Sequence, residues 1–318
     1  MGKILVTKLT GTTEDTTLPV LGAIRVMFTG TDNKSGNSIA GNFTLQGSDV
    51  EWKGEGTCNI NTPIAGSSYN VKPAKEAKGL LLIKDKYSVS RIDSTWNYGT
   101  NVKLEDINHY CENLIDLLLS NTEQEGDLSE ISDLSKLESL GIEASKITGD
   151  VSVLGCLGSL KYLNISKNNK VILDLATLSN SFNLQHLQIE NSGATGNLAS
   201  LASCTALTSI SANGSGITGS ISSLANNANF KSFNHYTLLN TWNSSTLRPS
   251  SMSKITGNFK FASASDTDNF LINMAACTDT GITNKNYYLQ NSHRTSASDA
   301  AVSTLKAAGY TVEQVIKD

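Results

Sequence analysis

A repeat of 23 or 24 residues occupies the middle of the chain and constrains its fold more than any other feature. Each unit opens with apolar residues in the pattern L-x-x-L-x-I. The clear copies have their anchors at Leu114, Leu117 and Leu119; Leu137, Leu140 and Ile142; Leu160, Leu163 and Ile165; and Leu184, Leu187 and Ile189. A weaker copy follows at Leu207, Ile210 and Ala212, and a decayed copy at Phe230 and Phe233. A period held this tightly is typical of a solenoid in which each unit forms one coil.

Within a unit, the spacing of the apolar residues changes from that of a strand to that of a helix. The anchor segment alternates apolar and polar residues, which predicts a strand with one buried face. A turn with a glycine follows, as at residues 147–149, 194–196 and 217–219. The return segment then places apolar residues three apart, for example Leu198 and Leu201, which predicts a short helix or 3₁₀ turn. The pattern therefore predicts an α/β solenoid.

These units resemble the leucine-rich repeat family, specifically the short-period forms of bacterial surface proteins and of phages of gut Bacteroidetes. The resemblance implies a right-handed coil with a parallel sheet. Many family members carry an asparagine after the second strand leucine. The nearby polar residues of this chain are Ser120, Ser145, Asn168, Ser192 and Ser215. The asparagine ladder is therefore expected to be partial at best.

The segment before the repeats carries no period. Short strands are expected at residues 4–9, 22–29, 41–46, 50–53 and 69–72, separated by polar turns. We therefore expect residues 1–78 to form a small β-rich N-terminal domain for docking or assembly, and residues 79–318 to form the solenoid. Residues 80–83 and 87–92 are expected to form the first irregular coil or the seam between the two parts, and Leu104, Ile107, Tyr110, Cys111 and Leu114 to share one face of a helix.

The repeat is interrupted after Phe233. Residues 235–252 are expected to form an inserted loop or a bulged coil, followed by a helix over 266–277 and a strand over 287–290. The helix should turn Phe270, Leu271, Met274 and Cys277 inward. A C-terminal cap over about 291–318 should contain a capping box at Ser296 and Asp299, a helix over 297–308 with Val302 and Leu305 inward, Gly309 at its end, and a last strand over 310–312. A solenoid needs such a cap to cover its final coil.

Charge and apolar runs exclude several classes of partner. The net charge is −4 and Lys and Arg do not cluster, so neither nucleic acid nor an anionic membrane is an expected partner. The first eight residues lack the apolar run of a signal peptide, and the longest apolar run, 80–83, is too short to span a bilayer. The chain is therefore expected to be made in the host cytoplasm.

Candidate residues for chemistry are few. The chain has five cysteines without a C-x-x-C pair, and we expect all five to be reduced and buried. The four histidines have no companions at metal-ligand spacing, and the chain has no H-E-x-x-H or G-x-S-x-G motif. We therefore expect no metal, no cofactor and no enzymatic activity.

The outward positions of the predicted sheet are the candidate binding surface. Its larger and more varied side chains are Glu138, Glu143, Lys161, Tyr162, Asn164, Gln185, His186, Gln188 and Glu190. Aromatic, amide and charged groups in this arrangement are typical of a protein or glycan contact. The same positions would equally suit a solvated sheet face with no partner.

Two classes of function follow. The first is a structural or adhesive component of a phage virion, such as a head-decoration, fibre or tail-associated protein. In this reading the N-terminal domain contacts other virion proteins and the solenoid contacts a host surface protein or glycan. The alternative is a bacterial surface or secreted adhesin, which needs an export signal. A cytoplasmic scaffold or effector is a third, weaker reading. The oligomeric state is left open.

Overall fold

The computed structural model describes residues 24–28, 43–46, 50–55, 58–61, 68–73, 78–83, 89–95, 100–224, 227–240, 256–276 and 285–318. The chain divides into two compact units. The first unit comprises Met1–Gly149 with Val153–Cys156, and the second comprises Asp150–Ser152 with Leu157–Asp318.

Antiparallel strands make up the N-terminal part of the first unit. Ile24–Phe28 pairs with Lys78–Ile83 and with Thr100–Val102, and Val50–Glu55 pairs with Lys78–Ile83 on its other side. Phe43–Gln46 pairs with Ser68–Pro73 and with Arg91–Asp93, and Cys58–Asn61 pairs with Ser68–Pro73. The β-rich character of this segment and its strands near 22–29, 41–46, 50–53 and 69–72 are confirmed, whereas 4–9 lies outside the described residues.

Residues 80–83 were expected in the first irregular coil or in the seam between the two parts, and of these alternatives the coil is wrong. They belong to the strand Lys78–Ile83, which lies between two antiparallel neighbours. A short apolar run fits a strand with neighbours on both sides as well as it fits a coil, so periodicity could not separate the two cases. The domain boundary at residue 78 stays a prediction.

Parallel pairing begins at Arg91–Asp93, which pairs with Asp116–Leu118, and this strand pairs with Ser139–Gly141. The central residues of these strands, Ile92, Leu117 and Leu140, are fully buried. The helix Leu104–Tyr110 precedes the second of them, with Leu104, Ile107 and Cys111 buried as predicted. A 3₁₀ helix, Leu128–Ile131, forms the return segment and has a complete capping box between Asp127 and Glu130.

The main sheet of the second unit contains seven parallel strands among the described residues. They are Tyr162–Asn164, His186–Gln188, Ser209–Ser211, Ser232–Asn240, Thr256–Phe261, Asn286–Arg294 and Thr311–Lys317. Each strand pairs in parallel with the next. The anchors Leu160, Leu163, Ile165, Leu184, Leu187, Ile189, Leu207, Ile210, Ala212, Phe230 and Phe233 are at most 1% exposed. The second unit therefore forms the predicted α/β solenoid with a parallel sheet, and its decayed copies keep the register of the clear ones.

A second parallel sheet forms where turns were expected. It contains Val171–Asp174, Gly193–Asn197 and Gly216–Thr218. The 3₁₀ helices Leu175–Leu178 and Leu198–Leu201 follow the first two strands directly, and Ile221–Leu224 follows the third after two intervening residues. The short helical return is therefore confirmed, while the segment before it is a strand rather than a plain turn.

A serine or threonine hydroxyl takes the place of the ladder asparagine in three coils. Ser192 Oγ donates to the Ile189 carbonyl at 2.7 Å, and Ser215 Oγ donates to the Ala212 carbonyl at 2.7 Å. In the first coil this role belongs to Thr122, whose Oγ1 donates to the Leu119 carbonyl at 2.6 Å, and not to Ser120. The residue before each ladder position has a positive φ: Asn121, Ala144, Lys167, Asn191 and Gly214. This shared turn conformation sets the register of the ladder.

Close approach between coils explains the glycine of the turn at residues 194–196. Gly196 has φ +106°, and a Cβ at this position would lie 2.6 Å from Asp174 Oδ1 and 2.8 Å from the Leu175 nitrogen. That φ lies outside the left-handed region that other residues tolerate. Only glycine fits here without a shift of the neighbouring coil.

We expect Gly196→Ala to lower the free energy of unfolding by about 1–3 kcal/mol, because it adds both a steric overlap and an unfavourable φ. Gly158→Ala is the matched control, since a Cβ at Gly158 would meet no atom within 4 Å. Urea titration followed by circular dichroism measures both values. Equal stability of the two variants would contradict the close approach at Gly196.

The two helices and the last strand predicted for the C-terminal part of the chain are present. The helix Ala264–Ala275 buries Phe270, Leu271 and Met274, while Cys277 lies outside the described residues. The helix Asp299–Ala307 buries Leu305 and Val302, and Gly309 follows it with φ +82°. Residues 235–240, expected in an inserted loop or a bulged coil, continue the strand Ser232–Asn240, whose pairing with Thr256–Phe261 shifts register between Asn234 and Leu239.

The predicted capping box of Ser296 and Asp299 is wrong. Thr295 caps this turn instead, because its Oγ1 accepts from the Ala297 N–H at 3.1 Å. The Asp299 carboxylate accepts from Lys317 Nζ at 2.6 Å and from Arg294 Nη1 at 2.7 Å. These two cations hold the pKa of Asp299 below its ordinary value. The local sequence pattern predicted that the Asp299 carboxylate would cap the helix. It forms ion pairs with Arg294 and Lys317 instead.

Three of the cysteines confirm the prediction. Cys111, Cys156 and Cys204 are free and buried. Burial raises the pKa of the Cys156 and Cys204 thiols to about 11. These two thiols therefore stay protonated at neutral pH and act as small apolar side chains. The side chains of Cys58 and Cys277 lie outside the described part of the chain.

Candidate binding face

Short strands fix the direction of every side chain on the sheet. In the second unit, the central residue of each strand from Tyr162–Asn164 to Ser209–Ser211 points inward and is buried. The flanking residues therefore point to the opposite face. Register aligns these outward positions, since Tyr162 lies beside His186, which lies beside Ser209. The result is two columns of polar side chains on a rigid support.

The predicted site residues differ in how much they present to solvent. Lys161, Gln185 and His186 are exposed, and Tyr162, Gln188 and Glu190 are half-buried. Asn164 is only 3% exposed. Glu138 and Glu143 are half-buried in the first unit, where the Glu143 N–H donates to Ser120 Oγ at 3.1 Å.

A tyrosine and two amides form the first cluster of the face. Asn164 Nδ2 donates to Tyr162 Oη at 3.2 Å, and Tyr162 Oη donates to Gln188 Oε1 at 3.2 Å. The Asn164 Oδ1 also accepts from the Ser166 N–H at 3.0 Å. The buried Asn164 amide thus positions the Tyr162 ring, which is the part that a partner can contact.

His186 lies among hydroxyls. Its Nδ1 is 2.8 Å from Ser209 Oγ and 3.2 Å from Thr208 Oγ1. A serine nucleophile needs, besides a histidine, a group that orients the imidazole and donors for an oxyanion. In the described residues, the hydrogen bonds of His186 go to these hydroxyls, so the arrangement suits hydrogen bonding to a partner better than acyl transfer.

Glu190 forms a third cluster at the edge of the face. Its Oε1 accepts from Ser211 Oγ at 2.6 Å and from Asn213 Nδ2 at 3.3 Å. Its backbone N–H donates to Ser166 Oγ at 3.2 Å. The carboxylate is therefore held in place by neutral donors, and its charge contributes to the face in a fixed position.

Sequence reasoning missed the outward residues beyond the clear repeats. Asn234, Asn258, Tyr288 and Gln290 lie on the strands Ser232–Asn240, Thr256–Phe261 and Asn286–Arg294 and are half-buried. The sequence did contain a signal for Asn234. The pair Phe233–Asn234 repeats the pattern of a buried anchor followed by an amide that is seen at Leu163 and Leu187.

Within the described residues, no group of three His, Cys, Asp or Glu side chains is placed to hold a metal ion. No helix in the same residues is both long enough and apolar enough to cross a membrane.

The chain was compared with known proteins. No protein-family model and no curated protein matches it. Among solved structures, an internalin of Listeria monocytogenes (InlF) is 18% identical, with a TM-score of 0.45, over 74% of this chain and 85% of that chain. A leucine-rich-repeat protein of Leptospira interrogans is 14% identical, with a TM-score of 0.47, over 71% of this chain and 60% of that chain.

A plant structure is also similar. It is the leucine-rich-repeat ectodomain of the Arabidopsis thaliana receptor kinase GASSHO1/SCHENGEN3, in complex with CASPARIAN STRIP INTEGRITY FACTOR 2. It is 16% identical, with a TM-score of 0.47, over 65% of this chain and 30% of that chain. The structural neighbours of the chain are thus leucine-rich-repeat proteins.

Proposed function

We propose that this chain is a non-enzymatic recognition protein that binds a protein or glycan partner through the outward face of its parallel sheet. The observation that carries the proposal is the cluster of Tyr162, Asn164 and Gln188, in which two partly buried hydrogen bonds hold a half-exposed aromatic ring on the face. Rigid aromatic side chains with neighbouring polar groups are typical anchors of binding surfaces. Exposed Gln185 and His186 add hydrogen-bonding groups beside the ring.

In its finer form, the proposal places the chain in a phage virion as a head-decoration, fibre or tail-associated protein. The resemblance of the short repeat to phage proteins of gut Bacteroidetes and the even spread of charge support it. The N-terminal strands would contact other virion proteins. Cys58–Asn61 supports this role, because among the described strands it has a neighbour on one side only, and an open strand edge pairs readily with another chain.

Mass spectrometry of purified virions, with envelope fractions of uninfected host bacteria as the comparison, tests the location. The proposal predicts that the chain is recovered with the particles. Recovery in the envelope fraction alone would overturn the virion role and favour the bacterial adhesin.

A triple variant tests the face itself. We expect Tyr162→Ala, Gln185→Ala and His186→Ala together to reduce binding of the full-length chain to intact host cells at least tenfold, because the variant removes the ring and two hydrogen-bonding groups. Its stability should change little, since two of the three side chains are exposed. The control variant replaces Ser152, Asn169 and Lys170, which are exposed elsewhere on the same unit, with Ala. Equal binding by the two variants would overturn the assignment of the face.

A further inference from the structure

A row of amides continues the outward face beyond the clear repeats. It comprises Asn234, Asn258 and Gln290, which we call the amide ladder. Asn258 Nδ2 donates to Asn234 Oδ1 at 3.2 Å, and Gln290 Nε2 donates to Asn258 Oδ1 at 3.3 Å. Tyr288 lies in register beside Asn258. The ladder therefore has a tyrosine in the adjacent strand position, as the amides of the Tyr162 cluster do.

Small hydroxyl side chains separate these two tyrosine–amide groups. The outward positions between them include Ser209, Ser211 and Ser232. Tyr162 and Tyr288 lie on strands with four others between them in the sheet order. Six strands at about 4.8 Å spacing place the two tyrosine positions roughly 24 Å apart along the sheet. The face is thus a strip with a low floor of hydroxyls and an aromatic ring near each end.

The chemistry of this strip selects for a partner rich in hydroxyl groups. The amides and hydroxyls carry no formal charge, and each amide can make up to four hydrogen bonds as both donor and acceptor. The ladder uses two of these at Asn258. Neighbouring hydroxyls of a sugar ring also donate and accept, and the apolar faces of sugars pack on aromatic rings. The Glu190 carboxylate beside the strip already accepts from Ser211 and Asn213.

A protein partner would need different anchors. Protein interfaces draw much of their affinity from large apolar or aromatic residues in desolvated pockets and from arginine. The large apolar side chains that the described residues expose include Ile172, Phe182 and Ile272, and these lie outside the strip. We propose that the strip from Tyr162 to Tyr288 binds an extended, uncharged polysaccharide. This inference rests on the proposed recognition function and names its partner class.

Affinity gel electrophoresis of the full-length chain tests the inference. Gels would contain mannan, galactan or dextran as neutral polysaccharides, hyaluronan as a charged one, and casein as an unfolded polypeptide. We expect at least one neutral polysaccharide to retard the chain, and hyaluronan and casein to leave its mobility unchanged. The double variant Asn258→Ala, Tyr288→Ala should weaken that retardation about tenfold or more, as expected for the loss of hydrogen bonds and a stacking surface.

Two further variants separate binding from folding. Asn258→Asp keeps the shape of the side chain but replaces its donor with a charge, so it should weaken binding without loss of packing. Asn229→Ala, an exposed amide whose Nδ2 donates to the Thr205 carbonyl away from the strip, should bind as the parent does.

Retardation by none of the neutral polysaccharides would overturn the inference, and so would retardation that the ladder variants leave unchanged. If the ladder variants instead abolish retardation by casein, the recognition face stands and its partner is a polypeptide. If the triple variant at Tyr162, Gln185 and His186 also leaves cell binding unchanged, the proposed function fails as well.

Discussion

Leu187→Ala should lower the free energy of unfolding by about 2–5 kcal/mol, the usual range for a buried leucine. Leu187 is fully buried, and its strand neighbours in register are Leu163 and Ile210, which are also buried. Removal of the side chain therefore opens a cavity between two stacked coils that have little freedom to close it. Chemical denaturation followed by circular dichroism and fluorescence measures the change.

Gln185→Ala is the control for this prediction, because Gln185 belongs to the same coil but is exposed. Its effect should stay within about 0.5 kcal/mol. Equal losses of stability by the two variants would contradict the assignment of Leu187 to the core and of Gln185 to the outward face.

The second large effect is expected at Gln124, a fully buried amide in the first unit. Its Oε1 accepts from the Val102 N–H at 2.7 Å, and its Nε2 donates to the carbonyls of Val102 and Glu125, each at 2.7 Å. Val102 belongs to the strand that pairs with Ile24–Phe28. The Gln124 side chain therefore links the antiparallel sheet of this unit to its first coils through hydrogen bonds.

Gln124→Leu keeps most of the side-chain volume but leaves buried N–H and C=O groups without this partner. We expect a loss of about 2–4 kcal/mol, because an unsatisfied buried polar group bears its full desolvation cost. Glu125→Gln, at the exposed neighbouring position, should change stability by less than about 0.5 kcal/mol. Equal loss by both would show that the amide does not fasten the strand.

The repeat made most of the solenoid predictable. Anchors three and two residues apart can bury one face only as a strand, and a fixed period can stack only one coil on the next. Even Phe230 and Phe233, where the pattern had decayed, occupy the same inward positions as the leucines. The outward positions followed automatically, because side chains alternate across a strand.

The parts that sequence reasoning missed depend on contacts between distant residues. Gln124 fastens a strand that lies 22 residues earlier in the chain, and no local pattern marks such a partner. Asp299 does not cap the helix as expected, because its carboxylate accepts hydrogen bonds from Arg294 and Lys317. The strand Lys78–Ile83 was assigned to the solenoid because its neighbours come from distant, non-repetitive sequence. Asn258 and Gln290 escaped notice because the insertion after Phe233 breaks the period that identified the other outward positions.

The most direct test of the recognition face is hydroxyl-radical footprinting of the full-length chain, free and bound to host cells. Phe182 and Ile172, which are 53% and 58% exposed, report on other surfaces of the same unit. The account predicts that binding lowers the oxidation of Tyr162, His186 and Tyr288 and leaves Phe182 and Ile172 unchanged. Protection of Phe182 and Ile172 with no change at Tyr162 and His186 would contradict it.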